Sequence, residues 1–187
     1  MFGWLKRGAQ KGQAGPRDVA EEAARDTYRL VAKLEDALGG MHSAMTEDPF
    51  VIGTLAAHAA IVATVTSDGP CPLPVVETAM VRAIEYAFGA AGVGGARALE
   101  LLLQHKSRPE YARGSQIATL ILAARFARDD LQDDPLLVRA RERVLSMPDA
   151  LRPSFGSTEA EQVSAQLFHD LFVSPLKAKY GEPGKAP

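Results

Sequence analysis

A chain of 187 residues with a formal net charge of -2, 47% hydrophobic and 24% charged side chains falls within the size and composition of one globular domain, able to bury a core without cross-links. Its single cysteine, Cys71, excludes an internal disulfide and fits a reducing, cytoplasmic compartment, and the near-neutral charge gives no bulk attraction to nucleic acid or an anionic membrane.

Residues 1–16 read as a flexible lead-in. The opening MFGWLKR has an aromatic, apolar start followed by Lys6 and Arg7, too short for a signal peptide or an interfacial helix, which leaves open whether it touches a membrane surface. GAQKGQAGP then has no apolar period. A single helical domain is expected over 17–176. From Arg17, Val19, Ala23, Thr27, Leu30, Val31, Leu34 and Leu38 recur three and four apart, with Glu21, Glu22, Arg25, Asp26, Arg29 and Lys33 opposite, which predicts a one-faced helix stopped by Gly39-Gly40.

The run PFVIGTLAAHAAIVATVTS, Pro49 to Ser67, holds no acidic or basic side chain except His58. One side of its helical wheel carries Phe50, Val51, Leu55, Ile61, Val62 and Val65; the other carries Gly53, Ala56, Ala57, Ala60, Ala63 and Thr64. A helix with no polar face is buried all round, and its small-residue side admits a close neighbour, so 49–66 is the expected central helix. Asp48 suits its N-cap and Pro49 its first turn. A membrane span needs about 20 apolar residues, so this run falls slightly short, and a core role is expected instead.

Prolines 70, 72 and 74 make a stiff connector to a third helix over about 73–90, with Val76, Met80, Ala83, Ile84 and Ala87 inward and Thr78, Arg82 and Glu85 outward. AAGVGGA does not follow a strand and lacks the spacing of a dinucleotide loop, so a helix-to-helix turn is expected there. A fourth helix is expected to bury Leu99, Leu102 and Leu103; a fifth, starting near Ser115, to bury Ile117, Leu120, Ile121, Leu122 and Phe126 as the second core helix. Asp134-Pro135 opens a sixth helix, and Thr158 with Glu161 forms a capping box for a seventh that runs to Pro175. Residues 177–187 read as a disordered tail. The fold class expected is all-α, a bundle-like array of about seven helices with the second and fifth innermost, and the absence of a long internal repeat argues against a solenoid.

His58 is the polar residue most in need of explanation. A buried imidazole must be partnered, either as a neutral group bonded to a carbonyl or a threonine, or as the anchor of a pocket between helices two, three and five with Arg82 or Glu85 beside it. The four histidines, 42, 58, 105 and 169, make no metal-ligand spacing, Cys71 between prolines has no catalytic context, and neither a metal nor another cofactor is expected.

Charge layout separates an acidic stretch, 41–92, from a basic one, 97–128, which contains Arg97, Lys106, Arg108 and Arg113. Compensation by the adjoining Asp129, Asp130, Asp133 and Asp134 on a solvated face is one reading of this layout; convergence of the basic groups around the RPEYARG loop is the other, and would dock another macromolecule, chiefly a protein, with a second copy of this chain among the candidates and weak nucleic-acid binding the lesser alternative. No basic recognition helix lies in the N-terminal third. The leading expectation is thus a non-enzymatic protein-binding domain, and the competing one a small-molecule site or enzyme at His58.

Overall fold

The computed structural model describes residues 15–67, 69–127, 129–148 and 158–181, and among them the regular structure is entirely helical. The α-helices are α1 (Pro16–Leu38), α2 (Pro49–Thr66), α3 (Leu73–Phe88), α4 (Gly95–His105), α5 (Pro109–Arg125), α6 (Pro135–Ser146), α7 (Glu159–Phe168) and α8 (Ser174–Tyr180). A π turn, His169–Val173, joins α7 to α8 as one rod, so the described residues form seven rods. Residues 1–14 of the lead-in and 182–187 of the tail lie outside the described residues.

The local reasons match the sequence at most helix ends. Gly39 takes φ 73° and closes α1, where a side chain would be strained. Asp48 Oδ1 accepts the Phe50 N–H at 2.9 Å and Asp134 Oδ1 the Leu136 N–H at 2.8 Å, each ahead of a proline in the first turn. Thr158 and Glu161 form the reciprocal box that starts α7.

α2 is the centre. It packs most extensively on α5, with α1, α3 and α4 around it. Its mean hydropathy of 1.7 over 18 residues is high enough to cross a membrane, yet 61% of that stretch is buried inside the protein. Burial is complete from Val51 to Ala56 and one-sided further on, where Thr64 and Val65 are exposed. The two apolar faces therefore serve the first turns, and the last turns behave as an ordinary surface helix.

The α2–α5 contact depends on two glycines. A methyl on Gly53 would meet the backbone of Tyr111, 2.8 Å from its Cα, and one on Gly114 would stand 2.8 Å from the Thr54 nitrogen. Each glycine sacrifices about 1 kcal/mol of helix propensity, and the offset is a backbone-to-backbone approach that no larger residue permits.

Three expectations need correction. α5 starts at Pro109 rather than near Ser115, because proline fits a first turn and Gly114 lies inside the helix against α2. α4 buries Ala98, Leu101, Leu102 and His105, whereas Leu99 and Leu103 are 48% and 56% exposed. Finally, the tail expected to be disordered from 177 stays helical through Tyr180, because Asp48 holds it. The buried Asp48 Oδ2 accepts from Lys179 Nζ at 2.9 Å and Tyr180 Oη at 2.6 Å. Burial raises the Asp48 carboxyl, but the bonds from Tyr180, Lys179 and Phe50 outweigh it and hold the group below its ordinary value.

Asp48→Ala removes the cap of α2 and leaves Lys179 and Tyr180 without their acceptor. Caps contribute about 1 kcal/mol and charged hydrogen bonds about 1.5–3, so a loss of roughly 2–3 kcal/mol is expected after solvent relieves the exposed lysine. Urea titration should show that loss, with amide exchange accelerated at 176–180; stability within about 0.5 kcal/mol of the parent would refute the latch.

Candidate functional site

His58 points from α2 toward α1 and is 2% exposed. Thr27 Oγ1, one turn after Ala23 on α1, lies 2.9 Å from the Ala23 carbonyl and 3.0 Å from His58 Nδ1. The hydroxyl has one proton, which it donates to the carbonyl, so His58 Nδ1–H donates to Thr27 and Nε2 carries the lone pair. A threonine thus fulfils the partner role.

Nε2 faces Asp26 Oδ2 at 3.9 Å. Asp26 is clamped from α5 by Arg125, whose two terminal nitrogens donate at 2.7 and 3.2 Å, and Arg29 stands 3.7 Å away on α1. Burial pushes the Asp26 carboxyl up, but the Arg125 bonds and charge, with His58 and Arg29, prevail and hold it below its ordinary value. For His58 the balance is opposite. Burial dominates, Asp26 offsets it only in part, Arg125 adds to it, and the pKa falls to about 4. At neutral pH this is an uncharged acceptor beside an arginine-bound carboxylate.

These groups lie at one side of a cleft of about 350 Å³ between α1, α2, α5 and α7. Asp26, Arg29, Leu30 and Lys33 form the α1 wall at helical spacing; Ile121, Leu122 and Arg125 come from α5, and Glu161, Ser164, Ala165 and Phe168 from α7. Ser164 Oγ donates to the Ile121 carbonyl at 2.9 Å and fixes α7 to α5 along one edge. Phe168 continues into an aromatic group with Phe172, 5.7 Å between centroids, which in turn meets Phe50 at 5.6 Å. The walls are rigid helices, and the lining alternates apolar side chains with charges.

Thr27, His58 and Asp26 resemble a nucleophile, base and orienting acid in order only. Thr27 is fully buried and its proton is committed to Ala23, so its oxygen cannot reach a molecule in the cleft. A base with a pKa of about 4 is also poorly matched to proton abstraction at neutral pH.

The pocket expected between helices two, three and five is displaced. Arg82 and Glu85 do not join His58; they pair with each other at 2.8 Å on the outer face of α3, where Arg82 is half exposed. The bridge from α3 to α1 is Tyr86, whose hydroxyl donates to Glu21 Oε1 at 2.5 Å.

The basic segment is dispersed. Arg97 pairs with Glu47 at 2.6 Å and Glu100 at 2.8 Å, Arg113 sits over the Phe50 ring at 5.7 Å from its centroid, and Arg125 serves Asp26. Lys106 and Arg108 are exposed at the α4–α5 corner. Beneath them is His105, which the sequence did not single out: it is buried, and both ring nitrogens lack a hydrogen-bond partner. Burial, then the charge of Arg108, depresses its pKa. Among the described residues no three His, Cys, Asp or Glu side chains gather as a metal ion would require. No protein-family model, curated protein or solved structure matches this chain.

Proposed function

We propose that this protein is a non-catalytic binding protein that holds a small molecule in the cleft between α1, α2, α5 and α7. One observation carries the reading: an open concavity of about 350 Å³ combines apolar walls with charged groups from three separate helices, the composition that small-molecule sites share. The buried Thr27–His58 pair and the Asp26–Arg125 clamp support it, because they fix the polar groups before any ligand arrives and so lower the cost of ordering them.

The test is a set of amide NMR titrations of the unaltered chain with octanoate, octanol and octylammonium. Saturable shifts confined to residues around 26–33, 121–125 and 161–168 are expected with at least one probe. Absence of such shifts with all three would overturn the reading.

A second reading retains a protein partner. Leu99 and Leu103 stand exposed one turn apart on α4, close in sequence to Lys106 and Arg108, a pattern suited to an acidic amphipathic segment of another protein. Under that reading the probes leave the cleft untouched.

A further inference from the structure

We propose that the cleft recognises a primary carboxamide, its two N–H bonds shared between His58 Nε2 and Asp26 Oδ2; this rests on the binding reading above. Two acceptors that face each other are the reason. Thr27 gives its only proton to Ala23, so the His58 ring proton lies on Nδ1 and Nε2 offers a lone pair. What Nε2 faces, at 3.9 Å, is a carboxylate oxygen. The imidazole is uncharged at neutral pH, so the two groups do not form an ion pair, and among the described residues His58 makes its one hydrogen bond through Nδ1. Both side chains line the cleft, His58 2% and Asp26 11% exposed, so a donor that joins them must come through it.

The spacing selects the donor. A nitrogen on the cleft side, about 2.9 Å from each acceptor, spans the gap with N–H···acceptor angles of about 150°. Asp26 has the capacity, because Oδ2 takes one bond, from Arg125 at 2.7 Å, and a carboxylate oxygen has about two acceptor sites. A hydroxyl carries a single hydrogen and can serve only one of the pair.

Charge separates the remaining head groups. A carboxylate would set a third acceptor against the other two. A cation would find the Asp26 charge already answered, by Arg125 at 2.7 Å and Arg29 at 3.7 Å. A neutral amide supplies both hydrogens without adding charge. Its body would lie on Ile121, Leu122 and Phe168, and the volume of about 350 Å³ is near the small end of known sites.

Calorimetry with four molecules of one shape, hexanamide, methyl pentyl ketone, hexanoate and hexanamidinium, tests the assignment on the unaltered chain. Hexanamide should bind about tenfold more tightly than the ketone, the worth of one net hydrogen bond, although the ketone is the more apolar. Hexanoate should bind more weakly than hexanamide, and hexanamidinium should gain no advantage over it. Histidine-nitrogen NMR supplies the second measurement: His58 Nε2 should resonate as an unprotonated nitrogen in the free protein, and should shift with hexanamide but not with the ketone. His58→Phe should lose most of the preference for the amide; if that variant does not fold, the nitrogen spectra decide in its place. A ketone that binds as tightly as the amide, a tighter hexanoate or hexanamidinium, a protonated Nε2 in the free protein, or a folded His58→Phe with the full preference would each overturn the amide without touching the binding reading. Silence from these four compounds overturns the amide; silence from the octyl probes too overturns the binding reading as well.

Discussion

Gly114→Ala is expected to destabilise the protein by about 3 kcal/mol or more, at the upper end of what overpacking a core costs. The added methyl would stand 2.8 Å from the Thr54 nitrogen and 2.9 Å from Thr54 Oγ1, with the Phe50 carbonyl closer still. Thr54 Oγ1 cannot simply swing away, because it donates to Phe50 O at 2.8 Å within the same turn. Relief requires α2 and α5 to separate, and every side chain between them then loses contact. Gly53→Ala meets Tyr111 in the same way. The two changes should be less than additive, since helices already parted by one methyl accept the second more easily. Gly95→Ala is the control: its methyl would come no nearer than 3.8 Å to any neighbour, and better helix propensity should leave it neutral or up to about 1 kcal/mol more stable. Urea midpoints of the three variants are the measurement. If Gly114→Ala matches Gly95→Ala, the close approach is not what joins the core.

The second large effect is acid sensitivity set by His58. Its pKa is about 4 in the folded chain against an ordinary 6.5, so the unfolded chain takes up the proton first as pH falls. The stability it supplies is full above pH 6.5, declines between 6.5 and about 4, and levels off below that. The shift corresponds to about 3 kcal/mol in total. The groups facing the imidazole are Thr27 and Asp26 of α1 and Arg125 of α5; the carboxylate favours protonation and the guanidinium opposes it. His105 adds loss in the same direction. Asp26, Asp48 and Glu21, all depressed, act at lower pH, below the ordinary carboxylate range. His58→Asn keeps an N–H where Nδ1 donates and cannot titrate. Unfolding free energies at pH 7.5 and pH 5 should therefore differ far less in that variant than in the parent. An equal drop in both would assign the acid sensitivity elsewhere.

Much of the fold was legible because its signals are local. The uncharged run of α2, the Asp-Pro starts of α2 and α6, Gly39, and the Thr158–Glu161 box each act within a few residues of themselves. The misreadings came where local signals were degenerate. Four leucines within Leu99 to Leu103 permit more than one face, and only packing against the rest of the bundle selects Leu101 and Leu102 over Leu99 and Leu103. The helical tail was invisible because its cause, Asp48, is far away in the chain. The site shows the same division. His58 announced itself as a lone polar group in an apolar run, and a threonine was among its expected partners. Which threonine, and that Asp26 and Arg125 would meet beside it, depends on α1 and α5 lying against one another's neighbours. Arg125 and Asp26 are 99 residues apart, and no spacing rule spans that distance.

The bond from Tyr180 to Asp48 spans 132 residues and couples the beginning of the core to nearly the last described turn. During synthesis the buried acidic cap of α2 therefore lacks two of its three donors until residues 179 and 180 have emerged. Ring closure of this length is entropically slow, which places it among the late steps of assembly. A chain interrupted before 179 would still contain every residue of the α2–α5 crossing, but with an ionised aspartate left open at the head of its most apolar helix. Arrival of residues 179 and 180 is thus the step that completes the donor set at the head of α2.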